Sequence, residues 1–196
     1  MGLYESAQGP ILAYFKLIHR LKVIGAENVP KEGGVLLCGN HINNLDPPLV
    51  GAASPRPVHF MAKAELFEVP ILKSLLPKIH AFPVKRGAGD RQALRAGLKV
   101  LDDGKIMGLF PEGTRSKDGK LGKAFSGAGF FALRSSAHIV PCAIMGSYRP
   151  PARVTVIFGE PIDFSELREQ KTSATRATEI IMENVRLLMK RHGSKA

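Results

Sequence analysis

Apolar and polar positions along this chain repeat with two different periods. Val35-Leu36-Leu37-Cys38 is an unbroken apolar run between Gly33-Gly34 and polar Asn40-His41, as expected of a short strand buried on both faces. Val58 to Ala62, Ile106 to Phe110 and Ile139 to Met145 read as further strands, and Val154 to Phe158 alternates with period two. Between several of these runs the period lengthens to that of a helix. Asp90 is placed to cap a helix carrying Leu94, Gly97, Leu98 and Leu101, with a stop near Gly104. A second helix is predicted from about Ser126 to Ala137. A third runs from about Ser173 to Arg191, with Ile180, Ile181, Val185 and Leu188 on one side and Lys190 and Arg191 at its negative end. Strands alternating with helices predict an α/β fold.

Residues 11 to 24 fit a helix in which Ile11, Tyr14, Phe15, Leu17, Ile18 and Leu21 share a broad apolar face, with Lys16 and Arg20 opposite. Such a helix suits packing on its own domain and suits lying among lipid headgroups. The apolar run Ile11 to Phe15 is closed by Pro10 and Lys16, far short of the roughly 20 residues that span a bilayer. The start of the chain also lacks the basic, apolar and small-residue series of a secretory peptide. With 196 residues the chain fits one domain, and we divide it into an N-terminal amphipathic membrane-interface segment, 1–24, and a domain over 25–196.

Charge narrows the choice of partners. Against 17 Asp and Glu stand 28 Lys and Arg, a formal net charge of +11 that favours an anionic surface or substrate and tilts the first helix towards a membrane. Nucleic acid is disfavoured by the absence of Trp, by an aromatic content of 7% and by the lack of a reader motif, so none is expected as a partner. Cys38 and Cys142 are the only cysteines and have no ligand spacing, which suits a reducing cytosol and gives no sign of a disulfide framework or a metal site.

Two constellations follow apolar strands. In Asn40-His41-Ile42-Asn43-Asn44-Leu45-Asp46-Pro47-Pro48, histidine and aspartate stand five positions apart. On a regular helix that separation turns through about 500°, so the two side chains would diverge, and Pro47 disfavours helical geometry at Asp46. A turn can bring them together, the carboxylate fixing the imidazole tautomer so that the ring can deprotonate a hydroxyl. The same residues also make an ordinary capped turn, with Asp46 as N-cap. The second constellation is Phe110-Pro111-Glu112-Gly113-Thr114-Arg115-Ser116. Gly113 permits close backbone approach, Thr114 supplies a hydroxyl and Arg115 offers a planar fork for phosphate oxygens, although a surface turn with a solvated arginine has the same letters.

Taken jointly, Asn40-His41 with Asp46, followed 71 residues after His41 by Glu112-Gly113-Thr114-Arg115, resembles the glycerolipid acyltransferase family, in its 1-acylglycerol-3-phosphate acyltransferase branch. Phe82-Pro83-Val84-Lys85-Arg86 and Ile139-Val140-Pro141-Cys142-Ala143 are similar to two weaker blocks of that family, and the resemblance covers about residues 25 to 160. One departure is His80, where many relatives have glycine.

The resemblance implies a single domain with a mixed sheet flanked by helices, like that of glycerol-3-phosphate acyltransferase. It implies transfer of a fatty acyl group from a thioester to the sn-2 hydroxyl of lysophosphatidic acid, forming phosphatidic acid for phospholipid synthesis. His41 would be the general base and Asp46 its orienting partner. Arg115, with Gly113, Thr114 and Arg86, would hold the acceptor's phosphate while Glu112 shapes the loop. Lys63 and Lys85 are further phosphate candidates by charge and position, and solvated surface lysines fit them as well. No cofactor is implied; acyl-CoA or acyl carrier protein would be the donor, and an anionic membrane surface the setting. The expected location is peripheral or monotopic at the cytoplasmic face.

The chemistry of the residues agrees, since an imidazole ordinarily titrates near pH ~6.5 and can accept a hydroxyl proton as the oxygen attacks a carbonyl. Other chemistries lack their signatures. There is no Gly-x-Ser-x-Gly, Gly108 to Gly113 is followed by Thr114 where a Walker loop needs lysine, and Gly127 to Ala132 lacks the strand that should precede a dinucleotide loop. The alternatives left open are a related acceptor, either another lysophospholipid or glycerol 3-phosphate, and a noncatalytic basic module that binds lipid or nucleic acid.

Overall fold

A computed structural model of the chain describes residues 2–85, 90–116 and 119–193. Helix α1 (Leu3–Ile18) is followed by β1 (Lys22–Ile24), β2 (Val35–Gly39), α2 (Asp46–Ala53), β3 (Val58–Lys63), α3 (Pro70–Lys78) and β4 (Ala81–Val84). Then come α4 (Arg91–Asp102), β5 (Ile106–Leu109), α5 (Gly127–Arg134), β6 (His138–Gly146), β7 (Val154–Phe158), α6 (Ser165–Glu169) and α7 (Ala174–Gly193). The strands form one sheet in the order β1-β7-β6-β2-β5-β3-β4. Five of them, β2 to β6, run parallel to one another, whereas β7 is antiparallel to β6 and carries β1 beside it in parallel. The sheet is therefore mixed, as expected, and the carboxyl ends of β2, β3, β4, β5 and β6 all emerge along one edge. Ligand sites of parallel α/β sheets lie along that edge.

Both faces of the sheet are covered, which is why β2 reads as an unbroken apolar run. Val35 and Leu37 point to a core with Phe15 of α1 and Leu49 and Val50 of α2. Leu36 and Cys38 point to the opposite core, with Phe131 of α5 and Ile181 of α7. Full burial of side chains of this size stabilises by about 1.5–3 kcal/mol each. Both thiols are buried and unbridged, and burial pushes each well above the ordinary thiol range, so they act as core side chains.

Several elements depart from the sequence reading. The helix expected over 11–24 begins at Leu3 and ends at Ile18; Arg20 takes φ +48°, and Lys22–Ile24 pairs with Thr155–Ile157 of β7. The second predicted helix is shorter than expected and stops at Arg134. Helix α4 matches its prediction, with the Asp90 carboxylate accepting from the amides of Gln92 and Ala93. Asp46 is not an N-cap: Leu45 holds that position and Asp46 opens α2, with Pro47 and Pro48 in the first turn, where their missing N–H groups cost nothing.

His80 adopts φ +61°, a conformation that glycine takes freely. Its ring stacks between Tyr4 of α1, at 4.9 Å, and His59 of β3, at 4.6 Å. His59 Nδ1 donates to the carbonyl of Ile106 at 3.2 Å. Burial, reinforced by His80, pushes His59 down to about 4. The unfolded chain then binds the His59 proton first, near pH ~6.5, so stability is lost as pH falls from there to about 4. Solvent screens this half-exposed ring, and the expected loss is on the order of 1 kcal/mol. Urea midpoints at pH 7, 5.5 and 4 should fall less in His59→Gln than in the natural sequence; parallel curves would remove His59 as the cause.

Candidate active site

The site begins where β2 ends. Asn40 is buried, and its side chain completes the sheet edge: Nδ2 donates to the carbonyl of Ile144 at 2.9 Å and Oδ1 accepts from the Ile144 amide at 2.7 Å. With Asn40 fixed to β6, the chain turns at His41 and runs back into α2.

That turn folds around a carboxylate. Asp46 Oδ2 accepts from His41 Nδ1 at 2.7 Å and from the amides of Ile42 and Asn43 at 2.6 and 2.8 Å. Asp46 exposes none of its side chain, whereas His41 exposes 15%. A carboxylate accepts only, so Nδ1 carries a proton, and in the neutral ring the lone pair is on Nε2. The His41 ring stacks at 4.3 Å on Phe110, which in turn stacks at 5.8 Å on Phe60. Phe60 can lie there because Gly108 has no side chain, since a Cβ on Gly108 would stand 2.2 Å from the Phe60 ring.

The second constellation is bound to the first. Glu112 is buried; Oε1 accepts from the His41 amide at 3.1 Å, and Oε2 accepts from the Gly122 amide at 2.7 Å. Gly113 turns the loop at φ +65°, and the Ser116 amide donates to the His41 carbonyl at 2.7 Å. The backbone of His41 is thus clasped on both sides by the loop that carries Thr114 and Arg115, both of which are exposed. Glu112 thus ties the His41 backbone to Gly122 further along the same loop.

Of the remaining candidates, Lys63 and Lys85 lie along the same edge further out. Lys63 ends β3 in register with Val84 of β4, which precedes Lys85, and both lysines are exposed. Arg86 lies outside the described residues. Pro141 is buried in β6. Two cavities, of about 460 and 510 Å³, lie away from His41: one between α7 and Gly122–Ala124, the other beside Gly25, Pro141 and α7. Among the described residues no three His, Cys, Asp or Glu side chains gather into a metal-binding group.

Sequence reasoning missed Tyr148, whose hydroxyl donates to Asp46 Oδ1 at 2.6 Å across 102 residues. Its signal was position: a polar aromatic side chain just past the carboxyl end of a strand parallel to β2.

The chain resembles known proteins in sequence and in fold. A family model described as Acyltransferase matches residues 20–145. The chain is 32% identical over 187 residues to the 1-acyl-sn-glycerol-3-phosphate acyltransferase of Bacillus subtilis, spanning 89% of this chain and 92% of that one. It is 32% identical over 136 residues to the protein of the same name from Borreliella burgdorferi, 68% of this chain and 52% of that one. In fold it is similar to the crystal structure of the 1-acyl-sn-glycerophosphate (LPA) acyltransferase PlsC from Thermotoga maritima, with TM-score 0.70 and 24% identity over 94% of this chain and 80% of that one.

Proposed function

Because the chain belongs to the acyltransferase family, we propose that it transfers a fatty acyl group from a thioester to the sn-2 hydroxyl of 1-acyl-sn-glycerol 3-phosphate, forming phosphatidic acid. The observation that carries this reading is the hydrogen-bonded His41–Asp46 pair clasped by the loop of Arg115. His41 Nε2 takes the hydroxyl proton as the oxygen bonds to the thioester carbonyl carbon. Asp46 holds the ring and stabilises the imidazolium that results. The tetrahedral intermediate collapses with loss of the C–S bond, and the imidazolium returns its proton to the departing thiolate. No residue becomes acylated. Arg115, with Thr114 and the backbone at Gly113, receives the acceptor's phosphate, for which a guanidinium fork is well shaped. Lys63 and Lys85 add positive charge along the same edge, and Arg86 is a further candidate for the phosphate by the family resemblance. The donor is acyl-CoA or acyl carrier protein, whose acidity suits a basic surface.

We infer that the reaction takes place on an anionic membrane surface. No helix among the described residues is long and apolar enough to cross a bilayer. Helix α1 divides its apolar residues instead: Phe15 is buried against α2, while Leu17, 79% exposed, and Ile18 face outward beside Lys16 and Arg20. A single experiment tests both parts of the proposal. Lysophosphatidic acid is offered in anionic vesicles with each donor in turn, and glycerol 3-phosphate and other lysophospholipids are offered in parallel. The expected result is phosphatidic acid as the main product, with the protein sedimenting with the vesicles. Faster acylation of another acceptor would change the substrate, and protein remaining in the supernatant would remove the membrane.

A further inference from the structure

Two residues past the end of β6, Tyr148 closes the environment of Asp46. Its hydroxyl donates to Oδ1 at 2.6 Å, while Oδ2 is occupied by the His41 ring and the amides of Ile42 and Asn43. No surface of the Asp46 side chain is exposed, so water does not reach Oδ1 to replace the phenol. Held through both oxygens, the carboxylate cannot swing without breaking bonds at each end. Donation from the phenol also withdraws charge from the carboxylate and so moderates its pull on the His41 proton.

The phenol is suited to this task. Burial and the adjoining Asp46 push it far above the ordinary tyrosine range, so it remains a donor at any pH the protein meets. The last turn of α1 fixes its ring: Phe15 and His19 meet it edge to face at 6.4 and 5.5 Å, and His19 Nε2 lies 3.3 Å from the Tyr14 hydroxyl.

We propose that Tyr148 is the positioning residue of the His41–Asp46 pair, acting by locking the second oxygen of the carboxylate. This rests on the acyl-transfer reading for its effect on rate. Its effect on the pair itself can be read without substrate. The other titratable groups around the pair are Glu112 after β5, Cys142 on β6, Tyr14 of α1 and His19 just past its end. All of them remain when Tyr148 is changed, so a difference between the two proteins belongs to the phenol.

The test is Tyr148→Phe, which keeps the ring and removes the donor. In this variant the titration of the His41 Cε1–H resonance should move to higher pH, because an unmoderated carboxylate favours the imidazolium. The acid limb of the rate profile should move with it, and kcat should fall about 10-fold at unchanged KM. A folded variant whose His41 titrates as before, or whose rate loss follows only its unfolded fraction, would overturn the proposal. Should Tyr148→Phe not fold, a fluorinated tyrosine at position 148 decides. As the stronger donor it moves the His41 titration to lower pH, and no movement again overturns the role. If the natural protein transfers no acyl group, the proposed function fails, while the resonance still decides the part played by Tyr148.

Discussion

His41→Ala should lower acyl transfer by about 10²–10⁴, the range contributed by a positioned general base, with the fold intact. The fold should survive because the bonds that clasp His41 use its backbone. Its amide donates to Glu112 and its carbonyl accepts from Ser116, and alanine keeps both. What is lost is the Nδ1 bond to Asp46 and the stack on Phe110. Initial rates with lysophosphatidic acid and an acyl thioester, compared with a thermal melt of each protein, separate loss of chemistry from loss of structure. The KM for lysophosphatidic acid should change little if, as proposed, groups on the neighbouring loop hold the phosphate. A folded variant within a few-fold of the natural rate would remove His41 from the reaction.

The reason both halves of this site were readable in the sequence is local. His41 and Asp46 lie within one short segment past β2, and Glu112 to Arg115 within one past β5, so each constellation is a few consecutive residues and the two together carry the resemblance. Their meeting is a consequence of β2 and β5 being parallel neighbours, with Cys38 opposite Leu109. Tyr148 has no such local companion. It reaches Asp46 only because β6 flanks β2 on its other side, an order that the pattern of apolar runs does not encode.

The elements that went unread were mostly punctuated by proline. Pro70 opens α3 and Pro77 lies near its end, while Pro83 lies in β4, and each looks like a break in the sequence. In the fold each is tolerated for a physical reason. A proline in the first helical turn gives up an amide that has no partner there. A proline in an outermost strand gives up an amide that the sheet does not require, and β4 is the outermost strand. Strand β1 was hidden by brevity, because three residues show no alternation and the helical period of the preceding segment runs straight through them. The buried strands were legible for the opposite reason: a strand covered on both faces must be apolar throughout.

Asp46 is the other position where a single atom should matter greatly, and two substitutions divide its charge from its bonding. In Asp46→Asn, the amide oxygen can face the three donors now on Oδ2, namely the His41 ring and the amides of Ile42 and Asn43. Its NH2 then faces the Tyr148 oxygen, which can accept. The three donors on Oδ2 keep their acceptor, while the second amide hydrogen and the phenol hydrogen are left without one, so the melting temperature should fall, but by much less than in Asp46→Ala. The negative charge is gone, however, and the imidazolium that forms on proton abstraction has nothing to stabilise it. The expected loss in kcat is about 10²–10⁴. In Asp46→Ala the same donors are left unpaired in a fully buried place, each costing about 1–3 kcal/mol, so this variant should lose both activity and much of its stability. If Asp46→Asn is stable and nearly as fast as the natural protein, the carboxylate serves only to shape the turn, and His41 would have to work without electrostatic support.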